Sequence, residues 1–186
     1  SQARVPGSPM SPSSQVDSWS RTPAYVVSAV SSLRYRGPFA VAFSLLLCGT
    51  LHVLFGDYLL GFSDEGYLWY GVKRTLAGEV PLRDFQAYDP GRYHWCAAFV
   101  PLAGDGILGL RFATAAFQAL GLVFAMLVAA RFARNLLELA FCGLLLGLWM
   151  FPRHKVFEPA LASCAVWFAV RLLEQPSSPR HLAAGL

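Results

Sequence analysis

Residues 107–130, ILGLRFATAAFQALGLVFAMLVAA, decide the class of this chain. The run is about 24 residues long, enough to cross a hydrocarbon core of about 30 Å. Its one charge, Arg111, lies a turn inside the start. A long side chain there can snorkel back to water or point inward at an anion. Downstream, Arg131 and Arg134 close the run, and a second apolar stretch, 136–151, follows at once, broken only by Glu138. Pro152-Arg153-His154-Lys155 then interrupts, and 157–173 is apolar again up to Arg171. Upstream, 39–56 (FAVAFSLLLCGTLHVLFG) is a further apolar run of about 18 residues, at the short end of what spans a bilayer. His52 within it is expected to be hydrogen-bonded to a neighbouring helix or to face a water pocket. The chain therefore reads as all-α, a polytopic transmembrane helix bundle with four spans.

Composition points the same way. The 186 residues are 55% hydrophobic and 14% charged, whereas a soluble domain is roughly 45–50% apolar and about 25% charged. The shortage of charge is the sharper signal, because a surface facing water needs it. The net charge of +4 is spread over loops rather than gathered on one face, so membrane lipids and not nucleic acid are the expected surroundings. Cations flanking spans report orientation. Arg34 and Arg36 precede the 39–56 run, Arg131 and Arg134 follow the 107–130 run, Arg171 lies near the end of the 157–173 run and Arg180 follows it. This places the amino terminus and the later ends of the bundle on the cytoplasmic side. Residues 1–37 are rich in Ser and Pro without a period, and read as a disordered cytoplasmic arm; they lack the layout of a signal peptide. Residues 182–186 read as the start of a fifth span. Cys48, Cys96, Cys142 and Cys164 show no metal-ligand or CxxC spacing, so neither a disulfide framework nor a metal site is expected.

The outer loop, 61–104, is a dense run of charge, with nine of the chain's 26 charged residues. Ser63 can cap a helix whose first turn contains Asp64 and Glu65, where the helix dipole favours acids. Leu68, Val72 and Leu76 recur every fourth residue, which predicts an amphipathic helix lying in the interface with its apolar side toward lipid. Gly78 is a plausible stop. Asp89 and Pro90 open a second interfacial helix as cap and first-turn residue, and Pro101 with Gly104 ends it. Lys73, Arg74, Arg83, Arg92, Arg153 and Lys155 break the positive-inside rule. Cations on that side suggest a bound anion, although packing within amphipathic loops tolerates them too.

A carboxylate beside a membrane, faced by cations, suits group transfer from a lipid phosphate. The carboxylate can take the acceptor's proton, and Arg, Lys or His can stabilise the departing phosphate. Taken alone, Asp64-Glu65 is an ordinary helix opening. The order of pieces is more specific: one span, then Asp64-Glu65-Gly66-Tyr67, then Gly78-Glu79-Val80-Pro81-Leu82-Arg83-Asp84-Phe85, then Pro90-Gly91-Arg92-Tyr93, then Leu110-Arg111-Phe112. This order resembles the amino-terminal part of the GT-C integral membrane glycosyltransferases, in the branch of protein O-mannosyltransferases and lipid A aminoarabinose transferases.

The resemblance covers roughly residues 39–186 and implies an inverting transfer of a sugar from a polyprenyl-phosphate donor to a lipid, glycan or protein acceptor on the outer face. It assigns Asp64 as base and Glu65 as its acidic companion. It places Arg92, Arg111, His154, Lys155, Arg83 and Glu158 as donor-phosphate or substrate contacts. Where the aminoarabinose branch has a lysine before the proline, this chain has Asp89, so the phosphate contact must come from elsewhere. No cofactor is required, with room left for a divalent metal. The brief loops and Ala-, Leu- and Arg-rich spans lean toward a bacterial plasma membrane. Such enzymes have many more spans, so the chain as given reads as an amino-terminal fragment, short of part of the donor pocket, with inactivity as one consequence. The alternative is a non-enzymatic membrane protein that binds or carries anionic lipid.

Overall fold

The computed structural model describes residues 24–55, 64–151 and 155–174, with side chains from residue 35 onward. The chain divides into two units, Ser1–Tyr35 and Arg36–Leu186. Of the first, residues 24–35 are described, and they are helical. Six helices account for nearly all the described residues: α1 Ala24–Phe55, α2 Asp64–Leu76, α3 Pro90–Ala103, α4 Ile107–Ala129, α5 Leu136–Trp149 and α6 Phe157–Glu174. No strand occurs among the described residues, and the one β-bridge, Pro81 to Phe85, closes a tight turn.

The helices follow the apolar periodicity, with two departures. Helix α1 begins at Ala24 instead of near Phe39, so part of the expected arm is helical; Pro38 lies inside it. Proline lacks an N–H and forfeits one helical hydrogen bond, but here the helix continues past it. The second departure concerns length. Two helical stretches, Tyr35–Phe55 and Ile107–Ala129, are long and apolar enough to cross a membrane. Helix α5 has 14 residues, or about 21 Å at 1.5 Å per residue, against about 30 Å of hydrocarbon. Helix α6 has 18 but carries Glu158, Arg171 and Glu174. The expected Ser63 cap, Arg153, the 175–181 loop and the start of a fifth span lie outside the described residues.

Helix α4 is the hub. It packs most extensively on α6 and also contacts α3 and α5. Its approach to α6 depends on Gly121: a Cβ there would lie 2.3 Å from the Ala160 Cβ and 2.6 Å from the Ala160 Cα. Without a side chain at that position, backbone can approach backbone, the usual basis of close helix contact in lipid. Phe117 packs on Phe157, and Phe124 on Trp167, with tilted rings along the same seam. Helix α1 meets α4 through Ser44, whose hydroxyl donates to Ala40 O and lies 3.4 Å from the Met126 sulfur. His52 and Phe112 meet edge to face near the other end of the pair.

At one end of this packing, Arg36 donates to the carbonyls of Ala130, Ala133 and Arg134, satisfying the exposed carbonyl end of α4. Arg131 joins the same end to Glu174 of α6 through two hydrogen bonds. Asn135 caps α5 by accepting from the Glu138 N–H, and Glu138 accepts in return from Asn135 Nδ2 and the Arg134 N–H. Helices α1 and α4 are thus antiparallel, as are α4 and α6.

The interior is mainly apolar, with Leu122, Met126, Leu139 and Tyr93 fully buried, but it also takes in Ser44, Arg111, Thr114 and Gln118, while Leu46 is 71% exposed and Leu137 81%.

Candidate functional site

The segment between α1 and α4 folds back on the start of α4. Helix α2 buries Leu68 and Val72 against the protein. This corrects the expectation that the Leu68–Val72–Leu76 stripe faces lipid; only Leu76 is exposed. The cause is α3: Gly71 leaves space for the fully buried Tyr93 ring, which a Cβ would meet at 2.2 Å. Tyr93 also stacks edge to face on Phe85. Helix α3 is held to α4 by the Trp95 indole N–H, which donates to Ala113 O at 2.8 Å. The Trp69 indole donates to Asp105 O in the α3–α4 turn.

The Gly78–Phe85 motif is a compact turn. Gly78 adopts φ 88°, and the N–H groups of Ala77, Gly78 and Glu79 close the end of α2 on Lys73 O, Thr75 O and Arg74 O. Asp84 organises the rest, accepting from the Val80 N–H and from Arg83. Those bonds, the one from Arg83 foremost, hold the Asp84 carboxyl down at about 2. Leu82 occupies the left-handed region at φ 72°, unusual for a side-chain-bearing residue.

The two acids at the start of α2 diverge. Asp64 is exposed at the helix N-terminus. Glu65 turns inward and pairs with Arg111 of α4 at 2.7 Å, their side chains 8% and 2% exposed. The pair locks the start of α2 onto the start of α4. Arg111 therefore points inward, where it meets Glu65.

The Lys and Arg residues of the 64–106 segment are paired as well. Lys73 binds Asp105. Arg74 binds Glu79 and lies over the Tyr70 and Phe85 rings. Arg83 binds Asp84. Arg92 joins Asp89 to Glu158 of α6, the latter at 2.8 Å, and lies over Phe157. Asp89 occupies the N-cap position of α3 as expected, but its side chain makes no cap hydrogen bond and serves Arg92 instead. Residues 61–106 contain six carboxylates and four Lys or Arg. The cations that break the positive-inside rule here are thus neutralised locally, which favours packing over a waiting anion as the reason for Lys73, Arg74, Arg83 and Arg92.

Of the sequence-derived site residues, the structure joins Glu65 to Arg111 and Arg92 to Glu158. Arg83 is on the 78–85 turn, Lys155 is exposed ahead of α6, and His154 lies outside the described residues. No group of three or more His, Cys, Asp or Glu side chains that could hold a metal occurs among the described residues.

Sequence reasoning missed the polar lining between α1 and α4. Cys48, Leu51 and His52 of α1 face Arg111, Thr114, Ala115 and Gln118 of α4 across a small cleft that Phe151 and Val156 also line. The signal was present: Arg111, Thr114 and Gln118 fall at i, i+3 and i+7, one face of a helix. No known family model, curated protein or solved structure matches this chain.

Proposed function

We propose that this chain is part of a membrane glycosyltransferase that moves a sugar from a polyprenyl-phosphate donor to an acceptor outside the cytoplasm, with inversion, Asp64 acting as base. One observation carries the reading. Asp64 is water-exposed at the first turn of α2, while its neighbour Glu65 anchors that turn to α4. A base must be both accessible and fixed, and this arrangement gives Asp64 both properties. The order of motifs from Asp64 to Arg111 supports the same reading.

Glu65 and Arg111 then act as positioning residues instead of substrate contacts. Lys155, with His154 beside it in sequence, is the better candidate for the donor phosphate. In this reading α5 and α6 also enter the membrane, giving four spans with both ends cytoplasmic, in a bacterial plasma membrane.

The test uses purified protein in proteoliposomes with a radiolabelled polyprenyl-phosphate sugar. Donor binding and sugar release are measured for the native chain, Asp64→Asn and Lys155→Ala. The reading expects Lys155→Ala to weaken binding, and Asp64→Asn to bind normally without turnover. Turnover of Asp64→Asn at the native rate would remove the base assignment. Native binding of the bare lipid phosphate, with no transfer and no effect of Asp64→Asn, would favour a lipid-binding protein.

A further inference from the structure

We propose that the junction of α4 and α5 binds an anionic phospholipid, with Arg134 on the headgroup phosphate and Phe132 and Leu137 against the hydrocarbon. Charge is the first argument. The end of the bundle at which α4 stops carries Arg36, Arg131, Arg134 and Arg171 against Glu138 and Glu174 among the described residues. At the other end, six Lys and Arg stand against seven carboxylates among the described residues, so the cation surplus is confined to one side. Arg131 and Arg171 bind Glu174, and Arg36 is engaged by carbonyls. Arg134 differs. It is exposed, and its hydrogen bonds run through its backbone, the N–H to Glu138 and the carbonyl from Arg36. No carboxylate pairs with its guanidinium among the described residues.

The apolar neighbours are the second argument. Phe132, two residues before Arg134, is 78% exposed, and Leu137, three residues after it, 81%. Apolar groups this bare beside an unpaired cation gain nothing from water or from a free phosphate. A phospholipid matches both, with a phosphate for the guanidinium and acyl chains for the ring and the leucine.

Level along the helix is the third argument. Helix α4 is long and apolar enough to cross a membrane. Phe132 stands three residues past its last residue, Ala129, and Leu137 is the second residue of α5. With α4 crossing, the junction sits where hydrocarbon gives way to headgroups. That crossing is a premise shared with the proposed function. The lipid site itself is at the opposite end of α4 from Asp64 and takes no part in sugar transfer.

Native mass spectrometry of the full chain tests this, from nonionic micelles holding equal amounts of phosphatidylglycerol and phosphatidylcholine. One Lys or Arg near an anionic bilayer surface is worth about 1 kcal/mol, a factor of about five. The native chain should therefore retain phosphatidylglycerol about fivefold over phosphatidylcholine. Arg134→Gln should bring the ratio close to one, and Arg134→Lys, which keeps the charge, should preserve it. Arg83→Gln, which removes an exposed cation at the opposite end, should leave it unchanged. A native ratio near one would overturn the proposal, as would an undiminished ratio in Arg134→Gln. Loss of the preference on adding inorganic phosphate would overturn it too, because a bare anion would then suffice. Carbonate extraction of reconstituted vesicles reads the shared premise separately. A chain that stays with the vesicles but shows no lipid preference loses the headgroup site alone, whereas a released chain loses α4 as a span as well.

Discussion

Replacing Glu65 by Ala should be among the most damaging single changes in the chain. At 2.7 Å and an effective dielectric of about 20, the attraction to Arg111 is on the order of 6 kcal/mol. Most of that offsets the desolvation of two charges, so the pair's net worth is small. Removing one partner is another matter, because the other buried charge then loses this ion pair; the expected cost is about 3–5 kcal/mol. Arg111→Ala should cost about as much, because Glu65 loses the same pair. Glu65→Leu combined with Arg111→Met should recover most of the loss, since an apolar pair of similar volume is often neutral or stabilising. The assay is reversible unfolding in mixed micelles with rising dodecyl sulfate, followed by tryptophan fluorescence. If Glu65→Ala cost less than about 1 kcal/mol, as exposed pairs do, or the double variant lost the sum of the two singles, the buried-pair argument would be wrong.

Three further outcomes are expected. Gly121→Ala should destabilise by about 1–3 kcal/mol through overpacking, because its Cβ meets Ala160 backbone and the helices must separate; the same unfolding assay reads it. Acidification should loosen the α4–α6 end. The Arg131 hydrogen bonds, despite opposing desolvation, hold the Glu174 carboxyl down to about 2, so its contribution is complete above the ordinary glutamate value of about 4.3 and is lost as pH falls toward 2. Glu174→Gln should lower the melting temperature above about pH 5, where that contribution is complete, and remove the change between about pH 4.3 and pH 2. Finally, Tyr88 is 70% exposed, and Tyr88→Cys in a background without the native cysteines should react with an impermeant thiol reagent on intact cells. Labelling only after permeabilisation would reverse the proposed orientation.

The sequence revealed the helices more readily than their surroundings. Periodicity located α2 through α6 to within a few residues, because apolar spacing is a local property. It showed that Leu68 and Val72 share a face, but not that α3 covers that face, since a stripe looks alike whether protein or lipid lies against it. The cations misled for a related reason. Lys73 finds Asp105, and Arg92 finds Glu158, across 32 and 66 residues, and no local pattern announces such partners. Arg111 was singled out early, whereas Glu65 as its partner required the fold. Gly37 and Pro38 hid the early start of α1 by imitating a helix boundary.

The three carbonyls that Arg36 grips belong to residues 94 to 98 positions later in the chain. At a synthesis rate of about 5–20 residues per second, they emerge roughly 5–20 s after Arg36 does. Until then the first helix must wait alone, with Ser44 and His52 lacking their eventual neighbours across the seam. Biogenesis therefore contains a waiting period, and a substitution at Arg36 should lengthen it and raise turnover by quality-control proteases even where the finished protein is scarcely altered.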